Sequence, residues 1–155
     1  TPHPKEELAS LVSFVPLDEL LQESDVISLH VPATSETEHL IGEKEIEAMK
    51  DGVVLINAAR GSLIDTKALI GGLEAGKIGA AALDVLENEK RIFYKDCKYK
   101  VLSNRELAIL QSMPNVIITP HTAFYTDEAV SDMVEYSILS CQYELQGKEN
   151  PWRVI

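Results

Sequence analysis

The chain has 155 residues, 45% hydrophobic and 25% charged, which is enough for one domain with a buried core. Its formal net charge of -11 lacks the basic face that nucleic acid or an anionic membrane requires; the acidic surface reads as solvated and names no partner. No apolar run approaches a membrane span and no signal peptide opens the chain. Cys97 and Cys141 are too few and too far apart for a disulfide framework or a zinc site, so no metal is expected and a reducing cytoplasm is.

Thr1-Pro2-His3-Pro4 opens without an initiator methionine and reads as the middle of a longer chain. Lys5 to Leu11 is loop-like or weakly helical, and the apolar run Val12 to Val15 predicts a short strand. After Pro16, the spacing of Leu17, Leu20 and Leu21 predicts a helix with one core-facing stripe. Val26 to Val31 predicts a strand stopped at Pro32, which has no amide hydrogen for the ladder. His30 within it reads as packing against its neighbours. A loop over Ala33 to Thr37 leads to a short helix over Glu43 to Lys50, with Ile46 and Met49 inward.

Asp51-Gly52 then turns into Val53-Val54-Leu55-Ile56-Asn57, an apolar, largely β-branched run of the kind that is buried on both faces of a sheet. It closes on Ala58-Ala59-Arg60-Gly61, which leaves room at the strand's carboxyl end. Asp65 is a good N-cap for a helix through Ala68, Leu69, Gly72 and Leu73, with Gly76 at its end. Gly79 to Leu83 predicts a third strand, ending at Asp84. Glu87 to Ser103 is a long irregular connection, a length usually functional or part of an interface. Asn104 caps a short helix carrying Leu107 and Leu110. Val116 to Thr119 is a fourth strand, ending at Pro120-His121. Thr126 caps a long amphipathic helix through Ala129, Val130, Met133, Val134, Ile138, Cys141 and Leu145, closed by Gly147.

Strands alternating with helices specify an α/β fold with a parallel sheet. Parallel strands end on one edge, so Arg60, the acids Asp84 and Glu89, and His121 converge there without any helical periodicity requiring it. Each has a plainer reading: Arg60 as a loop tie, Asp84 as a cap, Glu89 as a solvated charge, His121 as a satisfied loop histidine. Together they suit chemistry: a cation for a carboxylate, and an acid beside a histidine, which raises the imidazole pKa toward neutrality.

Three separated motifs carry a resemblance: Asn57-Ala58-Ala59-Arg60-Gly61, Asp84 to Glu89, and Pro120-His121-Thr122-Ala123-Phe124-Tyr125-Thr126. In this order they resemble the D-specific 2-hydroxyacid dehydrogenases, most closely the D-lactate dehydrogenase branch that includes the enzymes of vancomycin-resistant cell walls. The stretch Met113 to His121 is particularly similar to the latter. The resemblance implies the second half of a Rossmann-type doubly wound parallel sheet, with a C-terminal helix returning to the substrate domain. Residues 1–125 would be a partial NAD-binding domain and residues 126–155 part of the substrate domain.

The resemblance also implies roles. Arg60 would bind the carboxylate of a small 2-oxo acid, His121 would protonate its carbonyl as NADH delivers hydride, and Glu89 would hold His121 charged. Asp84 would meet the nicotinamide carboxamide, while Val31, Pro32, Thr37, Ala58 and Ala59, with Arg60, line the cofactor cleft. Phe124 and Tyr125 would narrow the substrate pocket toward pyruvate, with 2-oxoisocaproate or phosphohydroxypyruvate as the alternatives within the family. A homodimer is also implied. No Gly-x-Gly-x-x-Gly occurs in the sequence, so a chain of only this length is expected to bind NAD weakly or not at all. The competing expectation is a non-catalytic fragment or a corepressor-like interaction module.

Overall fold

The computed structural model describes residues 6–93 and 104–153. Thr1 to Pro4, and most of the predicted connection after Glu87 with Tyr94, Cys97 and Tyr99, lie outside the described residues. The chain divides into two compact units, Thr1–Pro120 and His121–Ile155.

In the first unit, four strands form one parallel sheet in chain order: β1 (Val26–Leu29), β2 (Val53–Asn57), β3 (Ile78–Leu83) and β4 (Val116–Ile118). Helix α1 (Leu17–Glu23) precedes β1, and α2 (Glu43–Ala48), α3 (Thr66–Glu74) and α4 (Arg105–Ser112) run between successive strands. Strand β1 alternates as a strand with one covered face does, with Ile27 and Leu29 buried and Val26 and Ser28 exposed. In β2 the buried positions are Val53, Leu55 and Asn57, with Val54 and Ile56 half-buried, consistent with coverage on both faces.

The helices start where the sequence indicates. Asp65 accepts from the Lys67 and Ala68 N–H groups at the start of α3, and Asn104 accepts from Leu107 N–H at the start of α4. Leu69 and Leu73 of α3, with Leu107 and Leu110 of α4, are buried in the core together with Leu55 and Ile78. Each such side chain contributes about 1.5–3 kcal/mol relative to leaving it in water. Where β2 and β3 slip register at Val53/Val54, Gly79 lies on the backbone of Gly52. A Cβ built there would stand 2.5 Å from the Gly52 carbonyl oxygen, so only glycine permits this approach.

One predicted element is absent. Val12 to Val15 belongs to no strand among the described residues, and its side chains are exposed. β-Branched composition favours a strand only where a neighbouring ladder satisfies the backbone, and among the described residues none is offered. Strand β1 ends at Leu29, two residues before the expected limit, and His30 does not pack inward. It is exposed, with its Nε2 2.9 Å from Ser28 Oγ.

The second unit is built on α5 (Asp127–Leu145), capped by Thr126 accepting from Ala129 N–H. The expected apolar members are present, but none of the helix residues is buried; Met133, Val134, Ile138 and Leu145 are exposed. After Gly147 the tail folds back, with Trp152 stacked against Tyr136 and edge-on to Tyr143, and with Asn150 donating to Ser140 Oγ at 2.6 Å. No described helix is long and apolar enough to cross a membrane.

Candidate active site

Because all four strands are parallel, the loops that follow them lie along one edge of the sheet, where open α/β folds bind ligands. The loop after β2 is shaped by Asn57. This side chain is 1% exposed, and both halves of its amide are used. Its Oδ1 accepts from Ala59 N–H at 3.1 Å and its Nδ2 donates to the Arg60 carbonyl at 2.9 Å. The Asn57 carbonyl also accepts from Asp84 N–H at 2.9 Å, tying the ends of β2 and β3 together. Arg60 therefore projects from a backbone held by a buried amide. Its guanidinium is exposed, with Nη1 donating to the Ala59 carbonyl at 2.6 Å.

The loop after β1 is cinched by Thr37, whose Oγ1 donates to the Pro32 carbonyl at 2.7 Å and accepts from Thr34 N–H at 2.8 Å. Val31, Pro32 and Ala33 then face Ala59 and Arg60 across an open cleft of about 450 Å³, with His30 beside them. Four of the residues read as cofactor-binding thus share one cleft. Thr37 shapes its wall, and Ala58 stands exposed next to Ala59.

Asp84 directly follows β3 and is buried, at 6% exposure. Thr119 Oγ1 donates to its Oδ1, and Thr119 N–H donates to the Leu83 carbonyl at 3.0 Å. Five residues on, Glu89 is half-buried and folds back on Leu86: its Oε2 accepts from Leu86 N–H at 3.0 Å, and its own N–H donates to the Leu86 carbonyl. The intervening Asn88 takes the left-handed conformation, φ 58°, which asparagine tolerates better than most residues. Gly61, directly after Arg60, lies on the same Leu86. A Cβ on Gly61 would stand 2.1 Å from the Leu86 carbonyl oxygen. The loops that carry Arg60 and Glu89 are therefore in backbone contact.

His121 opens the second unit, immediately after Pro120, with φ 54°. Within that unit its ring meets Phe124 edge-on, centroids 6.5 Å apart, and Phe124 meets Tyr125 in the same manner at 6.0 Å. Phe124 and Tyr125 are both exposed.

Sequence reasoning missed a cluster built on Glu87. Its Oε2 accepts from Thr66 N–H at 2.9 Å and Thr66 Oγ1 at 2.6 Å, while its Oε1 lies 2.8 Å from His39 Nε2. His39 is placed there by backbone pairing: its N–H donates to Ser62, and Ile41 pairs in parallel with Ile64. The hydrogen bond to Glu87 holds the His39 imidazole above its ordinary pKa of 6.5. Partial desolvation opposes this, and the charges of Glu87, Asp65 and Glu38 reinforce it. For Glu87, partial burial pushes the carboxyl up, but the bonds from Thr66 and His39 outweigh it and leave the group below its ordinary 4.5.

The pair has a two-sided pH dependence. A raised histidine stabilises the fold fully below 6.5 and loses that contribution as pH rises through its folded value. A depressed glutamate stabilises above 4.5 and loses its contribution as pH falls through its folded value. The gap in melting temperature between wild type and Glu87→Gln is therefore expected to be widest between pH 4.5 and 6.5 and to narrow on either side. A gap that stays flat across thermal scans at several pH values would show that the pair is not ionised as described.

Comparison with known proteins bears on this arrangement directly. The family model described as "D-isomer specific 2-hydroxyacid dehydrogenase, NAD binding domain" matches residues 1–123. The chain belongs to the D-isomer-specific 2-hydroxyacid dehydrogenase family. A D-specific alpha-keto acid dehydrogenase of Enterococcus faecium is 54% identical over 130 residues, which are 84% of this chain and 40% of that protein. An aromatic 2-oxoacid reductase of Clostridium sporogenes is 49% identical over 143 residues, 92% of this chain and 43% of that protein. The crystal structure of a D-lactate dehydrogenase from Treponema pallidum superposes with a TM-score of 0.94 at 42% identity, covering all of this chain and 47% of that one. The chain thus spans less than half the length of the dehydrogenases it matches.

The cofactor named by this dehydrogenase family fits the residues present. The cleft at the strand ends has an apolar wall, Val31 and Pro32, opposite the small Ala59, which leaves space for a flat ring system. The buried Asp84 stands at the neighbouring strand end as a fixed acceptor.

Proposed function

We propose that this chain is the catalytic C-terminal half of an NAD-dependent dehydrogenase that reduces a small 2-oxo acid, pyruvate in the first instance, to the D-2-hydroxy acid. The observation that carries this reading is Arg60, held by the buried Asn57 at the carboxyl edge of a parallel sheet, in a family of dehydrogenases. Residues 1–125 serve as part of the cofactor domain and residues 126–155 as part of the substrate domain. The working enzyme is a cytoplasmic homodimer, an assignment that rests on the family resemblance.

Bound NADH supplies the hydride. Val31, Pro32, Thr37, Ala58, Ala59 and Asp84, with Arg60, are assigned to hold that cofactor and orient its reactive ring. Arg60 presents a permanent cation with a planar fork of donors, which matches a carboxylate and draws electron density from the adjacent carbonyl. His121 donates the proton that the carbonyl oxygen requires as it becomes a hydroxyl. Glu89 is assigned as the carboxylate partner of that histidine.

A second substrate class is supported by the likeness to the aromatic 2-oxoacid reductase. Phe124 and Tyr125, as pocket residues, either exclude a ring by bulk or stack with one, and an apolar wall discriminates by only about 1–3 kcal/mol per methylene. The deciding measurement is NADH oxidation by the full-length protein with pyruvate and with phenylpyruvate. Higher kcat/KM for pyruvate is the expected result, higher values for phenylpyruvate transfer the assignment to aromatic acids, and turnover of neither refutes the reductase reading.

A further inference from the structure

Glu87 is not among the residues with an assigned role, yet its carboxylate is held by two other segments of the chain. Three hydrogen bonds, of 2.6, 2.8 and 2.9 Å, anchor its two carboxylate oxygens to Thr66 and His39. Thr66 opens α3, the helix that begins five residues beyond Gly61. His39 is fastened to the same segment by its N–H bond to Ser62, 2.8 Å, and by the adjoining Ile41–Ile64 pairing. One end of the loop after β3 is thus tied to the segment that carries Arg60.

From Glu87 the chain passes through the left-handed Asn88 to Glu89, which grips Leu86 on both its N–H and its carbonyl. Leu86 in turn is the residue against which Gly61 lies. The turn from Leu86 to Glu89 is therefore pinned at two places to the Arg60 segment: by van der Waals contact at Gly61, and by the Glu87 carboxylate at Thr66 and His39. Resting on the function proposed above, we propose that Glu87 is a positioning residue, clamping this turn so that Glu89 keeps a fixed place relative to Arg60. Other charged side chains border the clamp: Asp65, 3.9 Å from His39 Nδ1, with Lys67 and Glu106 lining the adjacent cavity of about 320 Å³. None of these replaces the Glu87 bonds to Thr66, because those require an acceptor aimed at both the N–H and the hydroxyl of one residue.

The clamp acts through another residue, and this separates it from a general loss of fold. Misplacing a reacting group by about 1 Å can cost on the order of 100-fold in rate. In the full-length enzyme, Glu87→Ala is expected to lower kcat by roughly 10- to 100-fold, with a much smaller change in KM for the 2-oxo acid. Glu87→Gln keeps an acceptor for Thr66 and a polar contact for His39, and is expected to recover most of that rate.

The decisive comparison is a double-mutant cycle with Glu89→Gln. If Glu87 works through Glu89, the double variant is no slower than Glu89→Gln alone. Should the two losses multiply, Glu87 acts independently and the proposal falls; a Glu87→Ala enzyme with wild-type kcat also overturns it. If Glu87→Ala does not fold, Thr66→Val, which removes one bond of the clamp, takes its place in the same cycle and must show the same non-additivity. A Glu89→Gln enzyme with wild-type kcat would instead refute the catalytic assignment on which the clamp depends.

Discussion

Gly61→Ala is expected to destabilise the full-length protein by about 3 kcal/mol or more and to abolish most of its reductase activity. The three nearest atoms to the added methyl would be the Leu86 carbonyl oxygen at 2.1 Å, the Leu86 carbonyl carbon at 2.2 Å and the Glu87 nitrogen at 2.7 Å. All three are backbone, so no rotamer change relieves the overlap. One loop has to move, and each carries a residue assigned to the chemistry, Arg60 on one side and Glu89 on the other. Strain and misplacement therefore arrive together. Thermal unfolding would report the first as a fall in melting temperature of roughly 5 °C, since the shift is about 2–4 °C per kcal/mol for a protein of 150–250 residues and less for a longer one. Pyruvate-dependent NADH oxidation would report the second. An alanine variant that melts with the wild type would mean that the two loops do not meet as described.

His121→Ala is expected to lower kcat by roughly 10²–10⁴-fold, the range a positioned general acid contributes. His121 adopts φ 54°, in the left-handed region, where a non-glycine residue is uncommon and often marks a functional position. Histidine takes that backbone more readily than alanine, so His121→Asn, whose side chain also tolerates it, is the companion variant that isolates the ring from the turn, and it is expected to lose a similar rate. NADH affinity, measured by fluorescence titration, is expected to change little because the donor acts on the substrate oxygen. A variant that keeps the wild-type rate removes His121 from the mechanism; one that loses NADH binding as well would assign the ring to the cofactor pocket instead.

The two predictions depend on different kinds of legibility. His121 was visible in the chain because it follows a strand and a proline, and because Phe124, Tyr125 and the capping Thr126 stand at fixed short spacings after it. Gly61 was visible as part of a motif, but the reason that it must be glycine was not. That reason is Leu86, which lies on another strand's loop. Likewise Asn57 read as the last residue of an apolar run, and its two hydrogen bonds within Ala59–Arg60 emerged only with the turn built. The mistaken strand at Val12 to Val15 has the same origin. Its composition suits a strand, but pairing is a property of two segments, and among the described residues no second one comes alongside.

By itself the sequence determined the alternation of strands and helices, the side-chain caps at Asp65, Asn104 and Thr126, and the polar residues at the strand ends. These follow from interactions within about one helical turn or from the two-residue period of a strand, so local order is enough to reveal them. Only the tertiary structure decided that His39 meets Glu87 across 48 positions and that Thr66 meets it across 21. Those contacts depend on the registers of β2 and β3 and on the path of the chain between β1 and α2. No periodicity in the sequence encodes a distance between loops; parallel strands set it only once they lie side by side.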